Sequence, residues 1–181
     1  MKKRGHSLKR PAAVSRTDHV RGSPLAAVTI IGYGDFASAA CAENYLAVKR
    51  IQKRLGSRVR YVFRSFPQPG EDEQSENAAE AAECASAQGK FWEMHDRLFE
   101  NNGASDELHL SRYATDLGLD VVQFRREMRE HVYLEKIRAC RGAAIRSGVA
   151  SAPTFFINTE RHSSAFGMST LLPAVQAAAG G

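Results

Sequence analysis

The stretch Val28–Cys41, VTIIGYGDFASAAC, limits the fold of this chain more than any other. Val28, Thr29, Ile30 and Ile31 form a β-branched, apolar run suited to a buried strand. Gly32, Gly34 and Asp35 interrupt that run, and from Ser38 onward the apolar positions recur at helical spacing. A strand turning directly into a helix places Ser38, Ala39, Ala40 and Cys41 on a helix N-terminus. Unpaired backbone N–H groups and the positive end of the helix dipole favour anions there. A thiol at such a place is expected to ionise more readily than a free one. Only one sulfur, that of Cys41, stands at this position, where dithiol chemistry would need two.

The downstream sequence extends the pattern. A helix is expected over Ser38–Leu55, with Tyr45, Val48, Ile51 and Leu55 on one face, Lys53 and Arg54 in its last turn, and Gly56 as its stop. Residues 59–66 alternate Val59, Tyr61 and Phe63 against Arg60 and Arg64, the period of a strand. Strand, helix, strand over so short a span is a βαβ unit, which predicts parallel strands and a right-handed crossover. An exposed loop at Pro67–Glu73 then leads into almost continuous helix. The spacing predicts helices over Ser75–Ala87, from Phe91 through Phe99, from a Ser105 cap through Leu117, from an Asp120 cap through Met128, and over residues 132–146. Strand character returns at Pro153–Asn158. A turn at Thr159–His162, a weak strand near Ser164–Gly167 and a final helix capped by Ser169 complete an α/β order of β-α-β, helical block, β-β-α.

Composition bounds the partners. The formal charge is +5, yet residues 1–21 hold seven Lys or Arg against one Asp, while the remainder has 18 basic and 19 acidic residues. The body is therefore close to neutral. Residues 1–24 are expected to be a solvated, disordered basic tail, and residues 25–181 a single domain with its helical insertion at about 75–146. A nucleic-acid partner is not expected from a basic tail alone, and no apolar run is long enough to cross a bilayer. The Lys/Arg-rich start has no apolar h-region behind it, so the expected location is cytoplasmic.

The three cysteines, Cys41, Cys84 and Cys140, show no paired metal-ligand spacing, and no metal ligands are assigned. Cys84 and Cys140 read as small buried hydrophobes on helices; a bridge between them would require those helices to pack side by side. Phe91, Trp92 and Phe99 read as core, and His95 and His131 as packing or surface residues. Asp35 stands equally well as a buried group acting on the Cys41 proton or as a cap of the helix.

Five phrases in order, DHVRGSP (18–24), VTIIGYGDF (28–36), VRYVFRSFP (59–67), AQGKFWEMHDRLFEN (87–101) and SGVASAPTFFIN (147–158), resemble the DsbA-like family of the thioredoxin superfamily, cytosolic in type, over roughly residues 17–178. The resemblance implies a thioredoxin-like fold with a helical-bundle insertion between the βαβ and ββα halves, and thiol–disulfide oxidoreductase chemistry. Relatives with dithiol chemistry carry C-P-x-C after D-F-x. Here Ser38 takes the place of the nucleophilic cysteine, Ala39 that of the proline, and Cys41 the resolving position. Thiol–disulfide exchange needs an attacking thiolate, so the resemblance implies a degenerate S-A-A-C site with impaired dithiol activity. It implies catalytic positions at Ser38 and Cys41, a cis-proline at Pro153, and a substrate-facing surface formed by Phe36, Ala152, Pro153 and Thr154.

The expected partner is a thiol-containing protein, a peptide or glutathione. No cofactor is expected, and glutathione would enter as a substrate. Two alternatives accompany this reading. Kappa-type glutathione transferases are similar in architecture and carry serine at the nucleophile's position, so Ser38 would donate a hydrogen bond to a glutathione thiolate. A non-catalytic member would keep the cis-proline groove as a peptide- or partner-binding surface, taking an added strand at its edge.

Overall fold

The computed structural model describes residues 10–68, 73–162 and 167–180. Its strands are β1 (His19–Arg21), β2 (Val28–Gly34), β3 (Val59–Ser65), β4 (Thr154–Ile157) and β5 (Glu160–Arg161). Its helices are α1 (Ala39–Leu55), α2 (Gln74–Ala87), α3 (Phe91–Glu100), α4 (Glu107–Asp116), α5 (Val121–Arg129), α6 (Leu134–Arg146) and α7 (Met168–Gly180). The strands form one sheet in the order β1-β3-β2-β4-β5. β2 and β3 are parallel from Val28 against Val59 to Gly34 against Ser65, as the βαβ spacing requires. β4 returns antiparallel to β2, with Tyr33 opposite Thr154, which brings the Ala152–Pro153 bend beside the end of β2.

Two apolar layers cover the sheet. Val28, Ile30, Tyr61 and Phe63 point into the larger one, with α1, α2, α3 and α7. Ile31, Tyr33, Val62 and Phe156 point the other way and pack with Phe66, Val149 and Ala144 of α6. The alternation Ile30/Ile31 and Val62/Phe63 is the strand period expressed in three dimensions. Gly32 lets the layers close, because a Cβ there would stand 2.6 Å from the Tyr61 hydroxyl and 2.9 Å from the Phe155 ring.

Several expectations shift. The domain starts before residue 25: β1 pairs antiparallel with β3, His19 opposite Phe63, and Arg64 binds Asp18 at 2.7 Å while donating to the Ala12 and Ala13 carbonyls. Three residues are too few for alternation to show, so this edge strand carried no periodic signal. Residues 1–9 of the expected tail lie outside the described residues. The cap of α4 is Asp106, which accepts from the His109 N–H at 3.0 Å, whereas Ser105 donates to the Gln74 carbonyl. α2 opens at Gln74, one residue before the expected Ser75, and Ser169 lies inside α7 instead of capping it. The turn expected at Thr159–His162 carries β5, and residues 163–166 of the expected weak strand lie outside the described residues. Cys140 is exposed, because its side of α6 borders a cavity of about 270 Å³ between that helix and the 12–19 segment. Cys84 is buried, and the two thiols are free.

Candidate active-site corner

The turn after β2 is built by Asp35. Its side chain is buried, and its carboxylate accepts from the Ala37 N–H at 3.0 Å, the Gln68 N–H at 2.9 Å and the Ser75 hydroxyl at 2.9 Å. One side chain thus ties the start of α1, the loop after β3 and the start of α2. Its own backbone N–H donates to Cys41 Sγ at 3.4 Å. Of the two sequence readings of Asp35, it is a buried residue whose backbone lies against the thiol, and it does not cap α1.

That cap is Ser38. Its backbone is extended, with φ −89° and ψ 120°, and its Oγ accepts from the Cys41 N–H at 3.3 Å. Serine is among the preferred N-cap residues, worth about 1 kcal/mol over alanine. The hydroxyl that replaces an attacking sulfur thus stabilises its own helix.

Cys41, one turn inside α1, is 4% exposed. Burial pushes its pKa up, and the Asp35 carboxylate adds to that direction. Hydrogen bonds from the Asp35 N–H and the Ser38 side chain pull the other way without overcoming burial. The easier ionisation expected at a helix start is therefore overturned. A cavity of only about 10 Å³ remains between Cys41, Gly34, Tyr61 and Pro153, room for about one water at most.

The other predicted site residues separate. The Ala152–Pro153 peptide bond is cis, Pro153 lines the same small cavity as Cys41, and Ala152 beside it is half-buried. Thr154 is 1% exposed, and its hydroxyl donates to the Ser151 carbonyl at 2.7 Å, so its side chain shapes the bend and does not face substrate. Phe36 is likewise not a substrate contact. It is 1% exposed and packs against Phe63, Phe99 and His95 at ring centroid distances of 5.1, 4.9 and 5.7 Å. Phe36 lies in the turn between β2 and α1, and its ring is held inward by the aromatic cluster it completes.

His95, which sequence reasoning left as a packing or surface residue, is packed in the core. It is fully enclosed by Phe36, Phe63, Trp92 and Phe99, with Nδ1 bonded to Asp96 at 2.9 Å and Nε2 without a partner among the described residues. Burial pulls its pKa down to about 4, against the opposing pull of Asp96. The run Phe91-Trp92-x-x-His95-x-x-x-Phe99 held that signal, since a histidine on an aromatic helix face is buried with it. Gly103 seals the corner from outside: its φ is +70°, and a Cβ there would collide with the Phe36 carbonyl.

Comparison with known proteins agrees with this geometry. The thioredoxin family profile matches residues 14–177. The chain belongs to the thioredoxin family. Its fold is DsbA-like. It is similar to a thioredoxin-like oxidoreductase from Silicibacter pomeroyi DSS-3, with a TM-score of 0.78 and 27% identity over 92% of this chain and 95% of that one. Wolbachia pipientis alpha-DsbA1 superposes with a TM-score of 0.81 at 20% identity, over 93% of this chain and 94% of that one. Oxidised BdbD from Bacillus subtilis gives 0.78 at 18% identity, over 91% and 94%.

Curated relatives include Na(+)/H(+) antiporter NhaA 1 of Mycobacterium sp. (strain KMS), 35% identical over 96% of this chain and 28% of that protein. Na(+)/H(+) antiporter NhaA 3 of Salinispora tropica is 38% identical over 89% of this chain and 24% of that protein. The chain thus spans about a quarter of the length of these relatives. No helix among the described residues is long and apolar enough to cross a membrane.

Proposed function

We propose that this thioredoxin-family domain has given up dithiol exchange and keeps its corner as a docking surface for extended polypeptide segments. The observation that carries this reading is the state of the two residues at the start of α1. Ser38 spends its hydroxyl as a helix cap, and Cys41 is buried with a raised pKa. Exchange requires an exposed thiolate, and a serine hydroxyl cannot take its place. What supports the docking role is the scaffold, since the fold brings the Ala152–Pro153 bend to the corner and leaves Ala152 part-exposed. A thiol-bearing protein segment laid beside this bend would gain backbone hydrogen bonds without covalent chemistry.

A second reading rests on the same serine. Ser38 Oγ accepts from Cys41 N–H, and a hydroxyl that accepts can still donate its own proton to a thiolate, such as that of glutathione, at a helix end that favours anions. Insulin reduction and glutathione conjugation, measured on the parent chain, Ser38→Ala and Cys41→Ser, separate the readings. Equal, background-level rates in all three proteins are expected. A reductase rate lost in Cys41→Ser would restore single-thiol chemistry, and a conjugation rate lost in Ser38→Ala would favour the glutathione role.

A further inference from the structure

The helical insertion contains a cleft of about 440 Å³ that the corner does not use. This is within the roughly 300–1,000 Å³ usual for small-molecule sites. It opens between α4 and α5, over the first turn of α2. Leu110 and Phe124, both buried, form its floor together with the half-buried Met128. Its basic side is Arg125 and Arg129, with His131 next to them, and among the described residues Glu107 is the acidic side chain that lines it.

Several groups here are arranged and left unspent. Arg125 donates from Nε to Ser111 Oγ at 3.1 Å, which fixes the guanidinium. No acceptor among the described residues takes its remaining N–H groups. Arg129 has only a 4.0 Å contact to Glu130, with its side chain 77% exposed. His131 holds a backbone φ of +51°, uncommon for a residue with a side chain. Its Nδ1 is bonded at 2.9 Å to Glu80, a carboxylate 1% exposed that also accepts from the Tyr133 N–H at 3.3 Å. A buried carboxylate thus orients the ring at the edge of the cleft.

We propose that this cleft binds a small organic anion, a carboxylate carried on an apolar body. Charge complementarity and shape select this class. A planar guanidinium anchored through Nε presents its remaining donors as a fork that matches a carboxylate, while Leu110, Phe124 and Met128 receive hydrocarbon. Bare inorganic phosphate would leave the floor uncovered, and a neutral molecule would leave the arginines unmatched.

Isothermal titration of the full chain with octanoate, at low ionic strength and below micelle formation, tests the assignment. Saturable one-to-one binding is expected. It should weaken about tenfold or more for octanol, for inorganic phosphate and for the double variant Arg125→Gln, Arg129→Gln, which matches the strength of one charge-assisted pair. Both arginines are exposed, so circular dichroism of the variant should remain that of the parent. No saturable heat with octanoate, or equal affinity for octanol, for phosphate or in the double variant, would overturn the proposal.

Discussion

The Ser38–Cys41 corner and the α4–α5 cleft both touch the first turn of α2, and they are filled in opposite ways. At the corner the buried Asp35 carboxylate is fully engaged by three donors, Phe36 is packed away, and about 10 Å³ of space remains. In the cleft about 440 Å³ is open, and two arginines keep donors unspent. A family architecture and a working site are therefore separable. The scaffold holds the corner's shape through interactions that do not depend on the missing sulfur, and open, polar volume lies in the insertion.

If the corner is a tightly satisfied structure, removing its central tie should cost the most. Asp35→Ala deprives three part-buried donors of their buried acceptor. The expected loss is about 3 kcal/mol in urea unfolding, the low end of roughly 1–3 kcal/mol per stranded donor, because water reaches part of each. A loss under about 1 kcal/mol would show that water replaces the carboxylate and that the corner is looser than its hydrogen bonds imply.

The layer beneath is tested by pH. The unfolded His95 binds its proton near 6.5, whereas burial holds the folded pKa at about 4. The unfolded state therefore takes up the proton first as pH falls. Stability contributed by the neutral imidazole is complete above about pH 6.5 and is lost progressively down to about 4, on the order of 2–3 kcal/mol. Urea midpoints between pH 7 and 4 should show this slope, and His95→Phe should flatten it. An unchanged slope in the variant would place the titration elsewhere.

Ser38→Ala should cost about 1 kcal/mol, the worth of an N-cap, with no loss of catalytic rate. An unchanged urea midpoint would mean that the Oγ bond to Cys41 N–H carries no weight. Least of all, Arg129→Gln in the cleft should alter stability by no more than about 0.5 kcal/mol, as for an exposed side chain with no close partner. A larger loss would make the cleft part of the packed structure and would erase the contrast with the corner.

The parts of this molecule legible in sequence are those written in periodicity. Val28–Ile31 and Val59–Phe63 announced parallel strands, and the helix boundaries at Gly56 and Asp120 stood where residue chemistry placed them. Ser38 and Cys41 were found because the strand-to-helix turn fixes their places. The misses have local causes. β1 is too short to show alternation. Phe36 and Thr154 stand beside the bend in sequence, but their side chains turn into the core, a direction that adjacency does not specify. The cleft was invisible because Asn77 of α2, Arg125 of α5 and His131 of the turn after α5 carry no shared motif. Ionisation of Cys41 required weighing a helix end against burial, and only the packed environment shows that burial prevails.

The central claim is that this corner retains its scaffold and is silent because the attacking sulfur is missing. The most direct test is Ser38→Cys, assayed for insulin disulfide reduction beside the parent and Cys41→Ser. The expected result is a silent parent and a variant whose introduced thiol pairs with Cys41 in a disulfide. Its reductase activity should rise at least about tenfold above background, a change of about 1.4 kcal/mol in barrier. A variant as silent as the parent, with both thiols remaining free, would contradict the claim.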